Sequence, residues 1–371
     1  MKVPTMHIKL KEITDLIESI APLQTQESYD NSGLIVGNSN DQITGALISL
    51  DLTEEVIAEA IALNYNLIIT HHPPVFKPLK KITGDDETER CLIKAIRNGI
   101  ALYAAHTNLD NSSQGVNNIL AEKIGIKPSG ILQPIKSVVR KLVVFVPESH
   151  HEVVRKAIFD AGAGVIGKYD CCSFNTHGTG TFRAGEGTNP HVGEIGELHS
   201  EPEIRIETVF PAWIENKILE AVNKVHPYEE IAWDSYQLTN DYNLAGSGLI
   251  GEFSEPMSEF NLLTHLKQTL NIPFLKHTEF LNKPVKRVAV CGGSGNFLIK
   301  DAIAGKCDVF ITGELKYHDF FTADGKILLI EAGHYETEQF TKELLYQILK
   351  QKFTTFALQI SRLSSNPVKY F

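Results

Sequence analysis

A chain of 371 residues, 43% hydrophobic and 22% charged, is too long for one ordinary domain and apolar enough to bury a core, so two or three domains are expected. Its formal charge of -10 is spread along the chain, which argues against nucleic acid as the main partner, because phosphate contacts need a basic surface. Five cysteines in no metal-ligand or C-x-x-C spacing fit no disulfide framework, and no stretch reaches the ~18 apolar residues of a membrane span, so a soluble cytoplasmic protein is expected.

The first predicted element is an amphipathic helix. Ile8, Ile13, Leu16, Ile17 and Ile20 share one stripe with charges between them, unlike the apolar segment of a signal peptide. From there to residue 135 strand and helix alternate. "GALISLDL" reads as strand, "TEEVIAEAIALN" as a helix opened by a Thr cap, and "NLIIT" as a short buried strand. A helix around Thr88 to Asn98, the strand "IALYAAH" and a helix around Gly115 to Ile124 follow. Such alternation implies a parallel sheet.

Between residues 136 and 242 the pattern changes to strand, helix, strand, then strand, helix, strand. That is the ferredoxin-like layout of an inserted α+β domain. Its vicinal Cys171 and Cys172 read as buried small hydrophobes, and its His177, His191 and His199 as surface residues. Residues 243 to 371 return to the first pattern: "KRVAVCGGSG" is strand and glycine turn, "NFLIKDAIAG" helix, "CDVFIT" and "KILLIEAGH" strands, "ETEQFTKELLYQILK" helix. "NLIITHHPPVF" corresponds to "DVFITGELKYHDF", and "IALYAAHTNLD" to "ILLIEAGHYETE". The expected fold is therefore α/β, with two related α/β halves (1–135 and 243–371) forming one core around the insert.

In an open α/β sheet, ligands bind beyond the carboxyl ends of the strands. His71 and His72 lie at such an end, as do His106 with Asp110 and His334 with Glu338, the last two pairs spaced i, i+4. Imidazole with carboxylate is a donor set for zinc, manganese, iron or cobalt. Five or six candidate ligands exceed the four of a structural zinc site and point to two divalent cations, ~3.5–4 Å apart, sharing a carboxylate. Pro73 and Pro74 stiffen the loop so that neighbouring imidazoles can diverge. "CGGSGN" at Cys291 lacks the spacing of a P-loop and reads either as a backbone cradle for phosphate or as a simple turn.

The segments "ESYDNSGLIVG", "THHPPVF", "AHTNLDNSSQGVN", "ITGELKYHD" and "EAGHYETE" together resemble the Ngg-interacting-factor-three-like family, whose members are commonly labelled GTP cyclohydrolase 1 type 2 homolog. The insert, best matched at "HPYEEIAWDSYQL", resembles the middle domain of the longer bacterial form, similar to the trimeric signalling and copper-tolerance proteins. The resemblance implies His71, His72, Asp110, His334 and Glu338 as ligands of a dinuclear divalent-metal site, with Glu338 as the bridge. It places His106 at the same site as a further ligand or a neighbour of the ligands, and implies a homohexamer, a trimer of dimers. Tyr29 stands where many relatives carry Trp. Glu314 and His318 fall near the site by the same resemblance, either in acid/base or substrate contact or in structural hydrogen bonding.

Two functions follow. One is a metal-dependent hydrolase, GTP cyclohydrolase-like, in which activated water attacks a purine nucleotide or related small molecule while His106 or His318 moves protons. The other is a non-catalytic hexameric metal-binding scaffold. Five protein ligands shared over two ions leave coordination positions open, which favours chemistry.

Overall fold

The computed structural model describes residues 8–369. It opens with β1 (Ile8–Lys9) and α1 (Leu10–Ile20), whose Leu10, Ile13 and Ile17 are buried at helical spacing. Ile8 therefore belongs to a strand, not to the helical stripe, and pairs with Ile43 of β3 (Gln42–Ile43), which follows β2 (Gly33–Val36). Next come β4 (Ala46–Ser49), α2 (Glu54–Leu63), β5 (Leu67–Thr70), α3 (Glu87–Arg97) and β6 (Ala101–Ala104). The Thr53 hydroxyl caps α2 by accepting from the Val56 amide, and Asp86 caps α3 through the Glu89 amide. A short helix, α4 (Thr107–Asp110), leads to α5 (Val116–Ile124) and β7 (Lys127–Ile135).

Residues 134–244 form a compact unit of their own. Its elements are β8 (Val139–Pro147), α6 (His151–Asp160), β9 (Ser173–Arg183), β10 (Leu198–Pro211), α7 (Glu215–Asn223) and β11 (Trp233–Gln237). The strands make an antiparallel sheet in the order β11-β8-β10-β9. Val144, Val146, Ile204 and Ile206 pack against Val154 and Ile158 of α6 and Ile218 and Val222 of α7, so both helices cover one face. Cys171 is exposed, in a left-handed conformation with φ 51°, and Cys172 is half-buried. The expectation of buried thiols fails there because the pair lies on the loop before β9, outside the apolar layer.

The remaining elements are β12 (Tyr242–Ser258), α8 (Glu259–Thr269), β13 (Lys276–His277), β14 (Pro284–Cys291), α9 (Ile299–Ala304), β15 (Val309–Thr312), β16 (Leu328–Glu331), α10 (His334–Glu338), α11 (Thr341–Lys352) and β17 (Leu358–Ile360). They join residues 8–133 in the second compact unit, which holds two sheets, ordered β17-β4-β5-β6-β2 and β13-β16-β15-β14-β12-β7. The centres are parallel, β4-β5-β6 and β14-β15-β16, and every residue of β4, β5, β6 and β15 is buried. β2, β12 and β13 run antiparallel to their neighbours, which strand-helix alternation alone does not reveal.

The two parts of this core repeat one order. α1-β2-β4-α2-β5-α3-β6-α4-α5 is matched by α8-β13-β14-α9-β15-β16-α10-α11, with a 3-10 turn (Tyr317–Ala323) where α3 would stand. The last helices are exchanged. Leu120 and Ile124 of α5 pack with Leu262, Leu266 and Val288 on the second sheet, while Leu345 and Leu349 of α11 pack with Ile13, Ile17 and Ile48 on the first. The chain continues accordingly, β7 at the edge of the second sheet and β17 beside β4 in the first. The short helices α4 and α10 lie where the chain crosses between sheets. Among the described residues no helix is long and apolar enough to cross a membrane.

Candidate metal centre

The chain leaves β5 through Thr70 into His71 and His72. Both histidine amides donate to the Leu50 carbonyl, at 3.1 and 3.0 Å, and the Thr70 hydroxyl donates to the His72 carbonyl at 2.8 Å. The strand stops there, and Pro73 and Pro74 bring no amide with which to begin a helix. The two rings diverge, with centroids 4.9 Å apart and planes at 44°. α4 ends on Asp110 and α10 on Glu338, one helical turn beyond His106 and His334.

Glu338, 3% exposed, lies between two sets of donors. Its Oε1 is 3.7 Å from His71 Nε2, which is 3.5 Å from Asp110 Oδ1. Its Oε2 is 2.9 Å from His72 Nε2 and 3.0 Å from His334 Nε2, and those nitrogens are 3.4 Å apart. Atoms bound to one cation at about 2.1 Å stand roughly 3–3.5 Å from each other. These distances approach that spread, and each triad could hold a metal ion, as could a third group, His71, His72 and His106, whose donor atoms lie within 4.8 Å of one another.

The first triad also carries orphans. His71 is wholly buried, and its Nδ1 donates to the Ala105 carbonyl at 2.7 Å, so Nε2 presents a lone pair. That Nε2 and Asp110 Oδ1 are buried without a hydrogen-bond partner. An unsatisfied buried polar group costs about 1–3 kcal/mol. Nitrogen and carboxylate donors left bare on one side fit a divalent cation.

Each of the other rings is held from behind by a carboxylate. His72 Nδ1 is 2.6 Å from Asp51 Oδ1, His334 Nδ1 2.9 Å from Glu314 Oε1, and His106 Nδ1 2.7 Å from Asp30 Oδ1. Such partners fix ring orientation and which nitrogen faces the site. Asp30 also accepts from the Ser32 hydroxyl at 2.8 Å, from the Thr107 amide at 3.0 Å and from the Thr107 hydroxyl. Burial alone would raise its pKa, but these donors, His106 first, hold it well below the carboxylate range. His106 lies 5.3 and 5.4 Å from His71 and His72 by ring centroid, and among the described residues nothing bonds its Nε2.

Charge is crowded here. Burial opposes a charged imidazole at His72 and His334, yet hydrogen bonds to Asp51 and Glu338 push His72 up to about 10, and those to Glu338 push His334 up to about 9. Burial and the nearby Glu338 charge push Asp110 up to about 7. Glu338 resists its own burial and is held well below the usual carboxylate range by His71, His334 and His72.

The model of the family described as Duf34/NIF3 (NGG1p interacting factor 3) matches residues 8–367. The chain belongs to the DUF34/NIF3 family. It is 38% identical over 364 residues to a Halalkalibacterium halodurans relative named GTP cyclohydrolase 1 type 2 homolog, with 96% of this chain and 98% of the relative covered. A Bacillus subtilis relative of the same name is 36% identical over 368 residues, with 97% and 98% covered. Among solved structures, a Bacillus cereus protein related to NIF3 superposes with a TM-score of 0.86 at 38% identity, covering 100% of both chains. A Staphylococcus aureus protein gives 0.77 at 29% identity, covering 98% and 99%.

In this NIF3-family chain the triads border a pocket of about 420 Å³, which Tyr29, Phe76 and Phe297 line together with His106, Asn111 and Asn117. The glycine loop after β14 forms one wall. Gly293 has φ +61°, and a Cβ there would run into Glu338 Oε1, so the loop's glycine makes room for the carboxylate. Three of the loop's amides are turned inward, as a structural turn requires. The Gly292 amide donates to Asn117 Oδ1, Gly293 to Thr337 Oγ1 and Gly295 to Thr312 Oγ1, which leaves these amides nothing to offer an anion. The Cys291 thiol beside them is buried, and burial with the Asp110 and Glu338 charges raises its pKa, so it resists ionising to a ligand.

Of the residues expected from the sequence, His71, His72, Asp110, His334 and Glu338 meet within these two triads, and His106 joins His71 and His72 in the third group. His318 does not line the pocket. It is exposed on the 3-10 turn, its ring 5.2 Å from Tyr317 and 6.2 Å from Phe321, and Glu314 is the residue of that loop that reaches His334. Asp30 and Asp51 were not singled out. Asp51 follows β4 at a strand's carboxyl end, the one signal that could have found it.

Proposed function

We propose that this NIF3-family protein is a two-cation hydrolase acting on a purine nucleotide or a related small molecule. The observation that carries the reading is the way the two oxygens of Glu338 face separate donor triads at the edge of a pocket. One cation would be held by His71, Asp110 and Glu338, the other by His72, His334 and Glu338. Zinc, manganese, iron and cobalt suit this donor set. Bound there, two such cations would supply Lewis acidity and make water a nucleophile near neutral pH. Three protein donors apiece are fewer than a closed structural site uses.

The chain's own side chains do the rest. His106, with its Nδ1 held on Asp30, takes a proton at Nε2 and returns it. Asp51 and Glu314 keep His72 and His334 oriented. Tyr29 and Phe297, 69% and 53% exposed, and Phe76 offer ring faces to a flat base. The printed name of the Halalkalibacterium and Bacillus subtilis relatives supports a nucleotide as substrate class by analogy. A homohexamer is part of the same proposal, and exposed aromatic side chains such as Tyr317 and Phe321, 74% and 66% exposed, support an assembly.

Metal analysis of the purified protein, paired with turnover assays on GTP and a phosphoester panel, tests the reading. The wild type should carry about two divalent cations per chain and turn over a member of the panel, and Glu338→Gln should lose both metal and turnover. Metal-replete protein without turnover of any nucleotide or phosphoester would leave the scaffold reading in its place.

A further inference from the structure

We propose that the inserted unit binds a small organic cation, an amine or amidine on an aromatic or aliphatic body, in a cavity on the face of its sheet opposite the helices. The inference is independent of the metal centre, since every lining residue falls within residues 134–244.

On β8 and β10 the side chains of Val144, Val146, Ile204 and Ile206 point to α6 and α7. The alternate residues, Phe145 and Glu203 among them, therefore face away. A one-sided antiparallel sheet would ordinarily leave that second face to water. Here the loop after β9 and the segment before β11 partly cover it, leaving an open-mouthed pocket of about 420 Å³, a volume suited to a small molecule. The walls are aromatic: Phe145, Phe182, His191 and Tyr228 line the space, with Phe182 and His191 each 6.2 Å from Tyr228 by ring centroid. His191 is exposed, as expected from the sequence, and its ring stands at the edge of this space.

The floor carries a negative charge. Glu203 is 9% exposed, and its hydrogen-bond partner is the Tyr228 hydroxyl, which donates to Oε1 at 2.9 Å. No cationic side chain among the described residues forms an ion pair with it, although Arg183 lines the same cavity. The neighbouring strand is shaped around this carboxylate, because a Cβ at Gly180 would collide with Glu203 Oε2. Glu229 and Glu230 add negative charge at the rim, and Glu229 Oε1 accepts from the Asn189 amide at 2.9 Å, tying the two covering segments together. Phe145 already has the Arg205 guanidinium over its ring, 5.8 Å from the centroid. The faces of Phe182 and Tyr228, above a buried carboxylate that no described side chain ion-pairs, are what select an N–H-bearing cation over an anion.

Calorimetry or ligand-observed NMR on the full chain with benzamidine and its neutral isostere benzamide provides the test. Benzamidine should bind saturably and benzamide about tenfold or more weakly, as charge-assisted hydrogen bonds exceed neutral ones. Glu203→Gln keeps the size and the acceptor for Tyr228 while removing the charge, and should weaken benzamidine about tenfold. Phe182→Ala removes a wall and should weaken it too; it decides the matter if the Glu203 variant melts early by circular dichroism. No benzamidine binding, benzamide binding equally well, or folded variants that bind benzamidine as the wild type does would overturn the proposal.

Discussion

Gly293 and Glu338 compete for one small volume. The backbone at Gly293 is left-handed, and any Cβ there meets the carboxylate that both donor triads share. Gly293→Ala should therefore carry two penalties, about 1–2 kcal/mol of backbone strain and displacement of Glu338. Metal content should fall well below that of the wild type, and unchanged uptake would show that Glu338 is not the shared ligand. Asp30 makes a separate claim. Asp30→Asn leaves the donor triads intact but weakens control of the His106 tautomer. On the proposed hydrolase reading, kcat should drop by about 10²-fold or more with metal content unchanged. A kcat equal to wild type would remove His106 from proton transfer. The histidine pair could be read directly, because two imidazoles followed by two prolines interrupt a buried strand. Asp30 and Asp51 could not. Each is a single acid whose partner lies 76 or 21 residues away, and only the folded chain brings them together.

At the scale of elements, α3 offers a pH test well away from the metal centre. Glu89, in its first turn, accepts the Thr83, Gly84 and Asp85 amides at 2.9, 2.8 and 3.0 Å and the Thr83 hydroxyl at 2.8 Å. Those donors, the Thr83 amide first, lower its pKa from 4.5 to about 2. The unfolded carboxyl keeps the higher value. Its contribution is therefore fully present above about 4.5 and is lost as pH falls through the folded value of about 2. Melting temperatures of the wild type should show that acid-side loss, and Glu89→Gln should show less of it. Identical acid limbs would discount the anchor. Helix positions and strand runs were legible because period-3.6 and continuous apolar patterns mark the buried face. Which sheet a helix packs on was not, since periodicity names a face and not its partner. Thus α11, read as part of the second half, lies on the first sheet. Leu345→Ala should cost about 2–5 kcal/mol of unfolding free energy in denaturant titration. A near-zero change would mean that this exchanged helix contributes little.

For the whole molecule, the repeated order of elements and the exchange of α5 and α11 explain why the site lies at the joint between two halves. His71, His72 and Asp110 come from one half, His334 and Glu338 from the other, so neither half holds a complete triad pair. The internal correspondence of "IALYAAHTNLD" with "ILLIEAGHYETE" already traced this, because both segments run from a central strand into the short helix that carries a ligand pair. If six copies assemble, light scattering should return six times 41.2 kDa. A monomeric mass would remove the hexamer from the account. The most direct test of the shared carboxylate is an anomalous difference map from crystals of the metal-loaded protein. Two peaks about 3.5–4 Å apart are predicted, one beside His71 and Asp110, the other beside His72 and His334, with Glu338 between them. A single peak, or peaks that do not touch Glu338, would contradict it.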